Sequence, residues 1–309
     1  MRILIVGAGA TGGYFGGRLL ESGRDVTFLV RPGRAASLAR DGLMIRSSTG
    51  DVTLPAPPTV LATELHDAYD LVLLSCKAYD LQSVMEDIAP AVGPHSTILP
   101  LLNGMRHLDL LDTRFGPQRV LGGQCIIAAT LDAAGVIQHL NTSHSLSFGE
   151  RDGADSERIR TIAQTMADAR FTPRASTTIL QDMWDKWVFL ATLAGITCLM
   201  RACVGDIAAA PGGTATTLRL LEDCLGVAEQ ADHRPNEGVL QRARHMLTEP
   251  GSTLTASMLR DLESGRVTEA DHVIGDLIER AHGETPLLHI VYAHLKAYEA
   301  RRAHTLKLP

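Results

Sequence analysis

Three glycines near the start of the chain leave few folds open. Gly7-Ala8-Gly9-Ala10-Thr11-Gly12 follows the short apolar run Arg2–Val6 and opens a helical segment over 10–22, with a second strand-like run at 25–30. A strand, a tight glycine turn and a helix, in that order, is the setting in which G-x-G-x-x-G binds a dinucleotide. Gly7 permits the tight turn, Gly9 lets a pyrophosphate approach the backbone, and Gly12 lets the helix pack closely on the strand. The backbone from Ala8 through Ala10 and Thr11 then offers unpaired N–H groups and the positive end of the helix dipole to the phosphates. The competing reading is a glycine-rich turn without a ligand, which would need none of this context.

The residues after the second strand bear on which dinucleotide is taken. An Asp or Glu at that strand's end would hold the ribose 2′-hydroxyl of NAD. Here the strand ends Leu29-Val30-Arg31, with Arg34 one turn on. With no carboxylate in that place, Arg31 and, beside it, Arg34 are candidates to pair with a 2′-phosphate through charge-assisted hydrogen bonds. The expected cofactor is therefore NADP(H); the plain alternative is a solvated surface arginine.

The rest of the first half alternates in the same way. Runs at 59–62, 70–75 and 96–99 look like strands, and a helix is expected from about Asp80 to Ala91. Such alternation favours a parallel sheet covered on both faces by helices. Residues 120–148 have short alternating segments and turn residues, so they read as antiparallel strands closing that sheet. An amphipathic helix over 155–170 ends at Phe171-Thr172-Pro173. Beyond it only helices are expected, at 178–200, 213–232, 237–247, 254–264, 269–282 and 286–302, separated by proline and glycine breaks. The fold class is therefore α/β: a Rossmann-type dinucleotide-binding domain over 1–174, followed by an all-α domain over 175–309.

Composition narrows the function. With 29 Lys and Arg against 35 Asp and Glu the net charge is −6, so an extended nucleic-acid face is not expected. The apolar run Trp187–Met200, 14 residues, falls short of the ~20 that span a bilayer, so it reads as a buried core helix and no membrane partner is expected. Ile3–Val6 is too short for a signal-peptide core. Five scattered cysteines without a C-x-x-C pair read as free thiols in a cytoplasmic protein. The 12 histidines form no H-x-x-x-H or H-E-x-x-H pattern, so no metal is expected.

Several polar residues stand where chemistry could use them. Lys186 shares a helical stripe with Ile179, Met183, Leu190 and Ala194. A lysine in an apolar stripe is costly unless paired or used; the alternative is an i,i+4 pair with Asp182 on an exposed helix start. Glu269 lies in a helix's first turn, and Thr268-x-x-Asp271 looks like a capping box. Asn103-Gly104 is a turn signal. Asn103 and Lys77 each follow a strand, at the sheet edge where open α/β folds place ligands. Ser257 reads as a helix-start serine.

Taken in order, the chain resembles the ketopantoate reductases (2-dehydropantoate 2-reductases). The likeness is carried by Gly7–Gly12, Arg31, Cys76-Lys77-Ala78-Tyr79-Asp80, Leu102-Asn103-Gly104-Met105, Trp184-Asp185-Lys186, Ser257-Met258-Leu259-x-Asp261 and Thr268-Glu269. It runs from residue 2 to the helix after Pro286. The resemblance implies NADPH-dependent reduction of ketopantoate to pantoate, a step of pantothenate biosynthesis, with the cofactor on the N-terminal sheet and the substrate against the helical domain. It implies Lys186 as general acid and Glu269 as the group that tunes or relays its proton. Asn103, Ser257 and Lys77 are then substrate contacts, and Lys77, Asn103 and Glu269 also lie against the cofactor. Burial should lower the lysine pKa and ready it for proton transfer.

The departures concern the substrate. Two family asparagines, four and eight residues after the lysine, are here Leu190 and Ala194, and a third, three residues before the serine, is Leu254. A buried polar group left without its partner costs about 1–3 kcal/mol. A less polar 2-oxo acid on the same fold is therefore the alternative substrate, and a non-catalytic NADP-binding protein is the alternative class, against which Lys186 and Glu269 argue. Monomer and homodimer are both compatible with the long apolar helices.

Overall fold

The structure is a computed structural model that describes residues 1–305. Two compact units emerge: Met1–Leu102 with His107–Leu180, and Asn103–Arg106 with the chain from Gln181 onward.

The first unit holds two five-stranded sheets. Strands β1 (Arg2–Val6), β2 (Asp25–Leu29), β5 (Thr59–Val60), β6 (Leu71–Leu74) and β7 (Thr97–Pro100) form a parallel sheet in the order β5-β2-β1-β6-β7. In β1 and β6 every residue from Ile3 to Val6 and from Leu71 to Leu74 is buried, as a central parallel strand covered on both faces requires. Helices α1 (Ala10–Glu21), α2 (Pro32–Asp41), α3 (Leu81–Asp87) and α4 (Arg106–Phe115) lie between the strands in sequence. The sequence reading did not foresee α2 and α4.

The second sheet is where expectation and structure part. The antiparallel pair expected over 120–148 exists, as β8 (Gly122–Leu131) and β9 (Ile137–Gly149). It does not close the parallel sheet. It joins β3 (Leu43–Arg46), β4 (Val52–Leu54) and β10 (Thr172–Ala175) in a separate sheet, and one isolated bridge, Ile98 to Val120, links the segment before β8 to β7. β10 covers the Thr172-Pro173 step read as a helix break; α5 stops earlier, spanning Glu157–Met166. Its start is capped as Ser156 Oγ accepts from Ile159 N–H at 3.3 Å.

Helix α1 packs between the two sheets. A Cβ at Gly16 would come within 2.6 Å of Phe28 and 2.8 Å of Ile5, and one at Gly17 within 2.9 Å of Leu43 and Ile45. Tyr14, Phe15 and Leu19 complete this core with Phe28, Ile137, Leu146 and Phe148.

The second unit is helical, as expected. It contains α6 (Ile179–Met200), α7 (Val204–Ala209), α8 (Gly213–Gln230), α9 (Glu237–Thr248) and α10 (Ser257–Glu263). A π-helical turn, Asp271–Gly275, runs into α11 (Asp276–Arg280), and α12 covers Pro286–Thr305. The helix expected over 269–282 is thus two short pieces of different winding. α6 is a 22-residue helix, so length alone does not exclude a membrane span as the 14-residue run suggested; 67% of its most apolar stretch is buried within the protein, which makes it a core helix. The buried Asp223 of α8 caps α12, its Oδ2 accepting from the N–H groups of Leu287 at 2.8 Å and Leu288 at 3.3 Å.

The tightest approach in the first unit is at Gly12. A Cβ there would stand 2.2 Å from the Gly7 carbonyl oxygen and 2.0 Å from Ser75 Oγ, with no flexible group to move aside on the backbone side. Gly12→Ala should therefore lower stability by about 2 kcal/mol or more, as overpacking at a rigid site does. A thermal melt without added nucleotide checks this, and an unchanged midpoint would refute the close packing.

Candidate functional site

The first group of candidate residues surrounds the start of α1. Gly7 has φ +93°, which places the turn in a region open to glycine, and its N–H donates to the Leu29 carbonyl at 2.9 Å. Ser75 at the end of β6 braces the turn by donating from Oγ to Val6 O at 2.8 Å. Gly9 is exposed, and a Cβ built on it meets nothing within 4 Å. It stands at the N-cap of α1, where no side chain caps the helix and no acid occupies the first turn. Open space, bare N–H groups and the absence of competing negative charge fit a pyrophosphate. Ala8, Ala10 and Thr11 lie along this same backbone.

Arg31 sits at the N-cap of α2, directly after β2, and is 77% exposed. Its Nη2 is 2.9 Å from Oδ1 of Asp80, in the short turn after β6. An exposed pair of this kind contributes about 0–1 kcal/mol, so it does not commit the guanidinium. Arg34 is different. Its Nε donates to Ala8 O at 3.0 Å, and Nη1 and Nη2 donate to Gly135 O at 3.3 and 3.4 Å. Arg34 thus braces the glycine turn against the β8–β9 hairpin, and the sequence reading of it as a second phosphate partner gives way to a structural one. Lys77 is half-buried at the N-cap of the turn Ala78–Asp80, just beyond the carboxyl end of β6.

The second group lies in the helical unit. Lys186 is half-buried in α6, with Trp184, Trp187 and Val188 buried around it in sequence. In the residue directly before it, burial pushes the Asp185 carboxyl above the usual carboxylate range, although Gln181 Nε2 donates to it at 2.8 Å. Of the positions that depart from the family pattern, Ala194 is buried, and Leu190 and Leu254 are half-buried.

Glu269 occupies the last non-helical position before the π-helical turn. Its carbonyl accepts from Val273 N–H at 2.9 Å and His272 N–H at 3.2 Å. The capping box expected of Thr268 and Asp271 does not form. Thr268 Oγ1 donates to Glu299 at 2.7 Å, while the Asp271 carboxylate accepts from Tyr292 and Lys296. Two further contacts converge on this turn. Trp187 Nε1 donates to Val273 O at 2.9 Å, tying the residue beside Lys186 to the turn after Glu269. Gly104, at φ +81°, approaches so closely that a Cβ would lie 2.7 Å from His272 O. The structure therefore brings the Asn103-Gly104 loop, the Lys186 helix and the Glu269 segment to one place. Burial holds His272 neutral at ordinary pH, its pKa pushed down to about 4. Ser257 is exposed as the first residue of α10, with Ala256 at the N-cap, so it does not cap the helix it opens.

Gly7–Gly12, Arg31 and Lys77 belong to the first unit; Asn103, Lys186, Ser257 and Glu269 belong to the second. Asn103 follows β7 of the parallel sheet, yet it groups with the helices. Asp80, Trp187 and His272 were not singled out from the sequence. Asp80 and Trp187 stand in or beside quoted motifs, but nothing in local spacing announces a partner 49 or 86 positions away.

Comparison with known proteins accords with this geometry. The family profile "Ketopantoate reductase PanE/ApbA" matches residues 3–153, and its C-terminal counterpart matches 178–299. The chain is 39% identical over 305 residues to an uncharacterized oxidoreductase, YkpB, of Bacillus subtilis, covering 98% of this chain and all of that one. It is 28% identical to a 2-dehydropantoate 2-reductase of Mesorhizobium japonicum, over 98% of this chain and 99% of the relative. The crystal structure of a 2-dehydropantoate 2-reductase from Geobacter metallireducens superposes with a TM-score of 0.87 at 28% identity, covering 96% and 99% of the two chains. A D-mandelate dehydrogenase solved with NADH and anilino(oxo)acetate superposes with a TM-score of 0.88 over 98% and 99%, at 21% identity, which bears on the fold alone. The chain belongs to the ketopantoate reductase family, and is an NADP-dependent oxidoreductase acting on a CH–OH group.

Proposed function

We propose that this protein reduces ketopantoate to pantoate with NADPH in the cytoplasm, as a step of pantothenate biosynthesis, with Lys186 as the general acid. Residues 1–174 form the dinucleotide-binding domain, and 175–309 form the helical domain that supplies the acid and shares the substrate contacts. The observation that carries this reading is the convergence of the Asn103 loop and the Lys186 helix on the Glu269 turn, within a chain of this family. The 2-dehydropantoate 2-reductase relatives support ketopantoate as the substrate.

NADPH, when bound, supplies a hydride to the carbonyl carbon. Negative charge then develops on the carbonyl oxygen, and the ammonium of Lys186 stabilises it and donates its Nζ proton there. The neutral amine left behind is reprotonated from solvent, with Glu269 relaying or tuning that proton. Asn103 and Ser257 orient the substrate through its oxygens. Asn103, Glu269 and Lys77 would each also contact the cofactor, and Lys77 would contact substrate as well. Gly7 to Gly12 would hold the pyrophosphate, and Arg31 would exchange Asp80 for the 2′-phosphate.

A second reading keeps the reaction and changes the substrate to a 2-oxo acid with a less polar tail. It is favoured by Leu190, Ala194 and Leu254, which offer no hydrogen bond to a hydroxyl. The same fold also serves a D-mandelate dehydrogenase.

Purified protein with NADPH should oxidise the cofactor faster on ketopantoate than on 4-methyl-2-oxopentanoate or phenylglyoxylate. The reverse order would assign the second reading, and binding of NADPH without turnover of any of the three would remove both. Lys186→Ala should lower kcat by about 10²–10⁴-fold, the usual range for a general acid, with NADPH affinity retained. Arg31→Ala should raise the KM for NADPH by about tenfold or more while leaving that for NADH unchanged, as loss of one charge-assisted phosphate contact implies. Equal effects on both cofactors would mean that Arg31 does not meet the 2′-phosphate.

A further inference from the structure

The segment that carries Glu269 has almost no regular structure of its own. From Ser264 to Glu269 the chain makes a turn and then runs without helix or strand, and the helix after it begins with a π-helical turn. Such a segment holds its side chains in place only as well as its neighbours fix it. Here α12 does the fixing along its length. Arg302 Nε donates to Gly265 O at 2.7 Å, and Tyr298 Oη donates to Arg266 O at 2.8 Å. Glu299 Oε1 accepts from the buried Thr268 at 2.7 Å. Tyr292 Oη donates to Asp271 Oδ1 at 2.6 Å. Lys296 joins the last two: its Nζ lies 3.0 Å from both Asp271 oxygens and 2.6 Å from Glu299 Oε2.

Glu269 is thus bracketed. The residue before it is held by Glu299 and the residue two beyond it is held by Lys296, and those two side chains hold each other. We propose that Lys296, with Glu299, is the positioning residue for Glu269. It sets where that carboxylate stands relative to Lys186 without itself touching substrate or cofactor. This rests on the reading of Glu269 as a participant in the reaction.

The geometry explains why a cation is needed at 296. The Asp271 and Glu299 carboxylates both approach the 268–271 turn, and without a positive charge between them they would repel. Lys296 is 39% exposed and Asp271 60%, so their attraction is screened and adds little to overall stability. Its effect is on position. Neighbouring burial limits the damage from removing it: Leu295 and Tyr298 continue to pack α12, and Trp187 continues to hold Val273.

The test uses the whole 309-residue chain, with NADPH and whichever of ketopantoate, 4-methyl-2-oxopentanoate and phenylglyoxylate it reduces fastest. Lys296→Met removes the charge and keeps the stem, and Lys296→Arg keeps the charge. Lys296→Met should lower kcat by about tenfold, the cost of a displaced catalytic group. It should leave the KM for NADPH unchanged and shift the pH dependence of kcat, and Lys296→Arg should restore most of the loss. In a Glu269→Gln background Lys296→Met should add nothing, because effects that act through one residue are not additive. Hydrogen exchange at the amides of 268–273 should quicken in Lys296→Met whatever the substrate. If Glu269→Gln is slow and Lys296→Met turns over at the wild-type rate, the positioning role is overturned by itself. An equal loss with and without Glu269 overturns it too, showing a general structural effect. If Glu269→Gln is as fast as wild type, the role of Glu269 falls, and the positioning role with it.

Discussion

No side chain fits at residue 12, and much of the first unit follows from that. Because α1 can come within van der Waals reach of the Gly7 carbonyl and Ser75, its N-terminus opens directly onto the turn after β1. Because Gly16 and Gly17 face a sheet on either side, the same helix fills the gap between the two sheets. One close approach thus sets both the geometry of the glycine turn and the thickness of the core. Bulky residues on both sides, Phe28 and Ile5 towards one sheet and Leu43 and Ile45 towards the other, take the volume that the helix gives up.

What could be read in advance depended on whether the signal was local. β1, α1 and β2 announce themselves through an apolar run, a glycine turn and a second apolar run. α6 does so through a continuous apolar stretch. β3, β4 and β10 are three or four residues long, and β10 contains Pro173 and Arg174; each is a strand because of its partner in the sheet. The β8–β9 hairpin carried enough alternation to reveal its strands but nothing to say which sheet it joins, since its partners β3 and β10 are remote in sequence. The π-helical turn has no residue pattern of its own and looked like ordinary helix.

The candidate residues divide along the same line. The glycines and Arg31 followed from physical reasoning on spacing, and Lys186 stood out as a cation in an apolar stripe. Glu269 looked like a helix-cap acid because Thr268 and Asp271 stand at capping distance in sequence; the structure sends both side chains to α12 instead. A hydrogen bond spanning 31 positions overrode a local preference. Arg34 differs in the opposite direction, as an arginine near the glycine turn whose guanidinium the backbone already engages. Charge and proximity were visible in the sequence, whereas the competing acceptor was not.

That arginine has a consequence for how the first unit can vary. Its fork joins Ala8, in the glycine turn, to Gly135, in the hairpin turn where Asp132 Oδ1 gathers the N–H groups of Ala134 and Val136 at 3.0 and 2.9 Å. A Cβ at Gly135 would already lie 2.9 Å from Arg34 Nη1. The hairpin tip, ordinarily the part of a sheet most tolerant of insertion, is therefore held to one length. Adding or removing a residue there would move the strut that keeps the glycine turn still, so the length of the hairpin tip is tied to the packing at the start of α1.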